Sequence, residues 1–429
     1  MNRRAAALLA VAVLAVALAF PSSAGAAACA LDNPPAATLL LPYFEVDLGH
    51  PSGLTTLFSI NNASATAILA NVTLWTDLGI PTLSFTVYLT GYDIQTINIR
   101  DLLAGQLPQT ATDGQDHADT ISPQGQFSQD VNFASCNGLL PPQAVTGIAL
   151  ADLQAAHTGG PGSARECLSQ IFGDGRARGF ITIDTVSSCS TTVRSPRDAG
   201  YFGIGSTGRA TAQNVLWGDF FLVDPDNNFA EGENLVRIEA LPGRFAGGSL
   251  TFYGRFVGYS AADEREPLAT VWATRFVNGA GFDGGTHLVT WRDPEGPSTP
   301  WNCGGLRPEP WYPLPSEDVV IFDEQENPEL PFVCPFTCPP NSRPSPFPAV
   351  ANRVTIGRTS TGMPVPFDFG WLYFNLGDPS GDTSPNRSQA FVVTLMSASG
   401  RYAVGLAATP FDTACDPHPC PPGSGPCPP

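Results

Sequence analysis

An all-β fold of antiparallel β-sandwich domains with one short helical insert is what this 429-residue sequence predicts. Three observations carry the prediction. Gly (43) and Pro (42) punctuate the chain while only 14% of it is charged, a composition of short strands and turns rather than long solvated helices. Apolar residues recur with period two in one segment after another, as where Leu83, Phe85, Val87 and Leu89 alternate with Ser84, Thr86 and Tyr88; that pattern lays one face of a strand on a core. A three- to four-residue period is confined to a single interval.

Taken in order, Arg3 and Arg4 precede an apolar run from Ala5 to Phe20 and the small residues Ala24, Gly25 and Ala26. This is the layout of a secretory signal peptide over 1–26, and its apolar run is shorter than the roughly 20 residues of a membrane-crossing helix. No later stretch is apolar enough to span, so a mature chain without a transmembrane segment is expected outside the cytoplasm: extracellular, periplasmic or on the cell surface. Strands at 38–46, 54–60, 68–75, 83–89 and 94–99 make an N-terminal sandwich over 35–105, and a polar linker follows over 106–135. In the helical insert, 136–175, Pro141 and Pro142 open a helix that presents Val145, Ile148, Ala149, Leu153 and Ala156 and stops at Gly159. Ser163 and Glu166 have capping-box spacing for a second helix, Ala164 to Phe172. The segment 176–412 holds eleven strand patterns, at 180–186, 215–223, 235–240, 250–257, 269–277, 287–291, 319–322, 354–357, 367–375, 391–396 and 402–407. These suit one large sandwich or two smaller ones. Proline-dense crossings occupy 294–315 and 328–348, and a Pro/Cys-rich tail closes the chain over 413–429. The architecture resembles exported bacterial Ig-like sandwiches, a resemblance that assigns no functional residue.

All 21 basic residues are Arg. The lack of Lys excludes a phosphate-loop lysine, Schiff-base chemistry and a Ser-x-x-Lys acylation site. Loss of the signal peptide takes the formal charge from −18 to −20, which repels nucleic acid and anionic membranes. Ten cysteines in an exported chain imply disulfides. The pairs expected are Cys303 with Cys334, and one drawn from Cys136, Cys167 and Cys189. Cys29 follows three alanines and lacks the bulky aliphatic residue that lipid attachment uses.

The motifs are few. Gly203-Ile204-Gly205-Ser206-Thr207-Gly208 has the letters of a dinucleotide loop but neither the strand before it nor the helix after it. Asp224, Asp226 and Asn228 alternate their side-chain oxygens as a calcium loop does. Phe229 and Leu235 stand where an EF-hand needs Gly and Glu, and an acidic turn is the competing reading. A second cluster at Asp378, Asp382 and Asn386 is weaker. Asp184-Thr185 follows an apolar strand as in aspartic proteases, but Val186 replaces the required Gly; no Gly-x-Ser-x-Gly elbow occurs. Acids gather at Asp263, Glu264 and Glu266 and at Asp323, Glu324 and Glu326, where solvated turns compete with a glycosidase pair. A Trp-x-Asp spacing recurs at Trp75/Asp77, Trp217/Asp219 and Trp291/Asp293, which puts each ring and acid on one face of a strand. Two function classes fit these residues. The first is a non-catalytic structural or binding protein whose partner is an extracellular protein or glycan. The alternative is a secreted glycan-active hydrolase with paired carboxylates, for which Trp272, Trp301, Trp311 and Trp371 are the rings available to stack on sugar.

Overall fold

The computed structural model describes residues 34–110 and 133–411 apart from 191, 193, 205–206, 246–249, 259–261, 279–284, 294–298, 306–317, 331–346, 348, 358–362, 378–388 and 399–401. The signal segment, the tail, Cys334, Trp311 and the Asp378 cluster lie outside the described residues. In chain order the strands are β1 (Thr38–Asp47), β2 (Thr55–Asn62), β3 (Ile68–Thr76), β4 (Pro81–Leu89), β5 (Ile94–Asn98), β6 (Glu166–Cys167), β7 (Arg176–Val186) and β8 (Leu216–Trp217). They continue with β9 (Asp219–Asp224), β10 (Phe229–Asn234), β11 (Val236–Ile238), β12 (Val271–Val277), β13 (Gly285–Arg292), β14 (Trp301–Asn302) and β15 (Val319–Asp323). The last are β16 (Pro328–Glu329), β17 (Ala351–Gly357), β18 (Met363–Pro364), β19 (Phe369–Asn375), β20 (Ala390–Ala398), β21 (Tyr402–Ala407) and β22 (Thr409–Pro410). Three short α-helices accompany them among the described residues: α1 (Ile99–Leu103), α2 (Gly147–Thr158) and α3 (Gly254–Val257). The fold is all-β, as the period-two patterning requires.

Four sheets carry the architecture. The first runs β11-β1-β7-β3-β4 and the second β10-β9-β2-β5, with β8 paired to β2. The third runs β18-β17-β13-β20-β21 and the fourth β16-β15-β19-β12-β22. β1 shows how they stack. Its Leu39, Leu41, Phe44 and Val46 enter a core shared with the second sheet, while Leu40 and Tyr43 enter a different core shared with the third and fourth. The first sheet is thus buried on both faces, and β1 is buried along nearly its whole length, the pattern expected of a sheet covered on both sides. A bulge between Leu41 and Phe44 accommodates Pro42, which has no N–H to give the ladder. At the centre of the seam Trp75 stacks on Phe180 (centroids 5.7 Å, planes 1° apart), and Phe180 meets Trp291 edge-on at 6.0 Å. Two of the three Trp-x-Asp tryptophans therefore face one another across the joint between sandwiches.

The segment 35–105 does not close a sandwich by itself. β7 lies between β1 and β3, and β9 to β11 complete both sheets. The helical interval also differs from expectation. α2 begins at Gly147 rather than at the prolines, since Pro142 disfavours a helical conformation for Pro141. It buries Leu153, Ala156 and His157 and leaves Ile148 on the surface. No helix forms over 164–172. Ser163 is held by Asp152, which accepts from its N–H and its hydroxyl at 2.6 Å each. Arg165 turns into the left-handed region, and Glu166–Cys167 pair with Trp301–Asn302 as a two-stranded ladder. At 250–257 the expected strand is a turn followed by α3, which delivers Phe252, Tyr253 and Phe256 to the seam. Of the glycine-rich motif, Gly203 and Gly208 sit at a tight reversal: Arg209 and Ala210 donate back to Gly200 and Tyr201, and the backbones of Gly203 and Gly208 touch so closely that neither admits a Cβ.

Two disulfides join described residues. Cys136–Cys189 is one of the pairs allowed by the group Cys136, Cys167 and Cys189, and Cys303 is bonded to Cys167, not to Cys334. The β6–β14 ladder places Cys167 beside the residues flanking Cys303, a proximity that spacing along the chain does not reveal. Peptide mapping of the non-reduced protein should recover 136–189 and 167–303 as linked peptides; a 303–334 peptide would contradict this pairing. Closing 136 residues of chain, the second bond should contribute roughly 2–4 kcal/mol.

Candidate functional site

The sequence-singled residues separate into buried, turn-forming and surface groups. Asp184 is fully buried at the seam, where it accepts from Thr38 Oγ1 at 2.5 Å, Tyr201 OH at 2.7 Å and Tyr253 OH at 3.0 Å, with Arg265 Nε at 3.6 Å. Asp263, Glu264 and Glu266 belong to the same region and are buried, which corrects their reading as a solvated turn. Asp263 accepts from the Tyr253 N–H at 2.7 Å, and Arg265 reaches back to the Asp263 carbonyl at 3.2 Å. Burial pushes the Asp263 carboxyl up to about 6 against the pull of Arg265. This cluster ties together segments that are distant in sequence.

The proposed calcium residues form the β9–β10 turn. Asp224 accepts from the Asn227 N–H at 3.3 Å and its Nδ2 at 2.8 Å, Asp226 accepts from Ser52 Oγ at 3.1 Å, and Asn228 takes a left-handed conformation (φ 49°). Those bonds build an Asx-type turn, and among the described residues no cluster of three His, Cys, Asp or Glu suited to a metal occurs. Asp323 starts a similar turn, accepting from Gln325 N, Asn327 N and Asn327 Nδ2; these bonds hold its carboxyl below the usual range. Glu324 and Glu326 are exposed on that turn.

Beside it lies a surface with the makings of a binding site. β19 sends Leu372 and Phe374 inward, so Phe369, Trp371 and Tyr373 share the outer face of the fourth sheet. Register adds neighbours: Phe322 of β15 and Arg275 of β12 flank Trp371, and Val320 and Ala273 flank Tyr373. Phe322 stacks on Trp371 with centroids 4.1 Å apart and planes at 7°, while Phe411 lies 6.5 Å from Tyr373. Phe369 (49%) and Phe411 (52%) are half exposed. Gly370 belongs to the construction, because a Cβ there would stand 1.9 Å from the Phe322 carbonyl oxygen. Five aromatic rings thus occupy one sheet face, bordered by a charged guanidinium and by the 323–327 turn.

Of the tryptophans offered for stacking, Trp371 is on this face, Trp272 is core, and Trp301 is packed against Leu78 and Ala349. Trp217 and Phe221, which the sequence did not flag as rings for sugar, are exposed together on the outer face of the second sheet, with Asp219 between them accepting from Ser59 Oγ at 2.8 Å. The signal for such faces is an aromatic at each outward position of a strand, and it is hidden when the inward positions are aromatic too. No family model matches the chain, and no curated protein or solved structure is detectably similar to it.

Proposed function

We propose that this is an exported, non-catalytic binding protein whose outer β15–β19–β12 face takes up a glycan chain. The row of rings carries this reading. Sugar rings present apolar C–H faces that stack on aromatic side chains, and the exposed Arg275, Glu324 and Glu326 supply polar groups at the margin for their hydroxyls. A hydrolase is less well supported. A general acid needs a raised pKa, whereas Asp323 at the border of the rings is shifted down, and the buried acids at 263–266 are out of reach of a substrate.

The test is a broad panel of immobilised polysaccharides on which retention and released reducing ends are both recorded. Retention without release is expected, weakened about tenfold by Trp371→Ala and less by Phe369→Ala, with the far-ultraviolet spectrum unchanged. Release of reducing ends that disappears in Glu324→Gln or Glu326→Gln would establish the hydrolase instead. Retention that survives loss of both rings would remove this face from the account.

A further inference from the structure

A second candidate site lies on the other sandwich, against the end of β7. There a cavity of about 250 Å³ is lined by Ser188, Ser190, Arg194, Asp198, Tyr201 and Arg209. It is rigid on two sides. The Cys136–Cys189 disulfide anchors the 187–190 turn, and Arg209 is fixed by three hydrogen bonds, from Nε to the Ser188 carbonyl (3.0 Å), Nη1 to Asn71 Oδ1 (3.0 Å) and Nη2 to Thr86 Oγ1 (3.1 Å). Those bonds use one hydrogen on each nitrogen, so two N–H donors of the guanidinium remain. Arg194 lines the same cavity with its side chain exposed. Two arginines meet one carboxylate, Asp198, at this small cavity, so one positive charge is left without a partner in the lining.

We infer that this cavity binds a carboxylate group, held between Arg194 and the anchored Arg209. A planar guanidinium matches a carboxylate with parallel hydrogen bonds. Asp198 sets the charge limit: its carboxylate, oriented by the Ser195 N–H at 2.8 Å, lies at the same cavity and leaves a net charge of about one positive. One negative charge is accommodated, and a phosphate dianion is disfavoured. The volume suits a single small acid or one sugar ring, below the ~300–1,000 Å³ of sites for larger ligands. The carboxylate can come from a free organic acid or from a uronate unit of a glycan.

Calorimetric titration of the full mature chain with D-galacturonate, D-galactose, lactate, oligogalacturonate and inorganic phosphate tests this. Galacturonate should bind, galactose should not, and phosphate should bind more weakly. Equal binding of lactate identifies a free acid as the source, whereas tighter binding of oligogalacturonate identifies the polymer. Arg194→Gln should weaken the carboxylate at least about tenfold, since a charge-assisted bond is lost. Asp198→Asn should do the opposite and admit phosphate, and it keeps an acceptor for Ser195. Equal binding of galactose, no effect of Arg194→Gln in protein of unchanged melting temperature, or no binding of any carboxylate at tens of millimolar would overturn the inference. Retention of neutral glycans on the β19 face should be indifferent to Arg194→Gln, so the two sites can fail separately.

Discussion

Asp184→Ala is expected to remove roughly 3–5 kcal/mol of folding free energy, the cost of breaking a buried ion pair from one side. Asp184 is fully buried and gathers hydroxyls from Thr38, Tyr201 and Tyr253 around one carboxylate, with the Arg265 guanidinium beside it. Truncation leaves Arg265, itself 2% exposed, without its nearest countercharge, and it strips two tyrosine hydroxyls of their acceptor. Arg265 also donates to the Thr38 hydroxyl (2.7 Å) and the Thr211 carbonyl (2.9 Å), so the damage spreads to the strand that forms both cores. Urea unfolding followed by circular dichroism measures it. Asp226→Ala, on an exposed turn, should fall within about 0.5 kcal/mol of wild type and serves as the comparison. A loss below about 1 kcal/mol for Asp184→Ala would mean that apolar packing alone holds the seam.

The same residues show what a single sequence exposes and what it hides. Alternation located nearly every long strand because it is a local property: 367–375 and 269–277 were readable from their own side chains. The seam was not readable. Thr38 and Asp184 are 146 positions apart and Asp184 and Tyr253 are 69 apart, and nothing within either segment marks it as a partner. Asp263, Glu264 and Glu266 look like a solvated turn because acids usually are solvated; their burial follows only from the segments 239–241 and 252–253 bonding to them. The failed helix at 164–172 teaches the converse. Its capping spacing was present, but Asp152, eleven residues earlier, claimed the serine. For the candidate glycan face the limitation was one of contrast: β19 is aromatic on both sides, so periodicity found the strand but could not say which rings meet solvent.

Stability is expected to fall as pH rises from about 5 to 9, with Glu231 as the main cause. Glu231 lies on β10 where β21 crosses it, is 4% exposed, and has no hydrogen-bond partner on either carboxylate oxygen among the described residues. Gly405 of β21 permits the approach: a Cβ there would be 3.2 Å from Glu231 Oε1. Burial drives the carboxyl up to about 9, opposed by Arg353 of β17 and reinforced by Glu233 on its own strand. In the unfolded chain the group ionises near its ordinary 4.5, so between about 4.5 and 9 the folded state holds a proton that the unfolded state has released. Fewer protons on the unfolded side means stability declines through that window. Asp293, pushed by burial to about 7 despite Arg255 at 3.4 Å, contributes with the same sign over its lower half. Glu45 acts oppositely. Its carboxyl is lowered by Arg353, Arg178 and Arg176, so its contribution is lost as pH falls below about 4.5. His157, which burial lowers to about 4, opposes the decline between about pH 4 and 6.5, but there it is one group against Glu231 and Asp293, so stability still falls from about pH 5 upward. Melting temperature should therefore be higher at pH 5 than at pH 8.5 by on the order of 5 °C. Glu231→Gln should raise the value at pH 8.5 while leaving that at pH 5 nearly unchanged, because a neutral group of the same shape removes the proton release that favours the unfolded chain at high pH. A melting temperature that climbs from pH 5 to 8.5, or a Gln variant with the wild-type slope, would show that this carboxyl is not the one controlling the seam between β10 and β21.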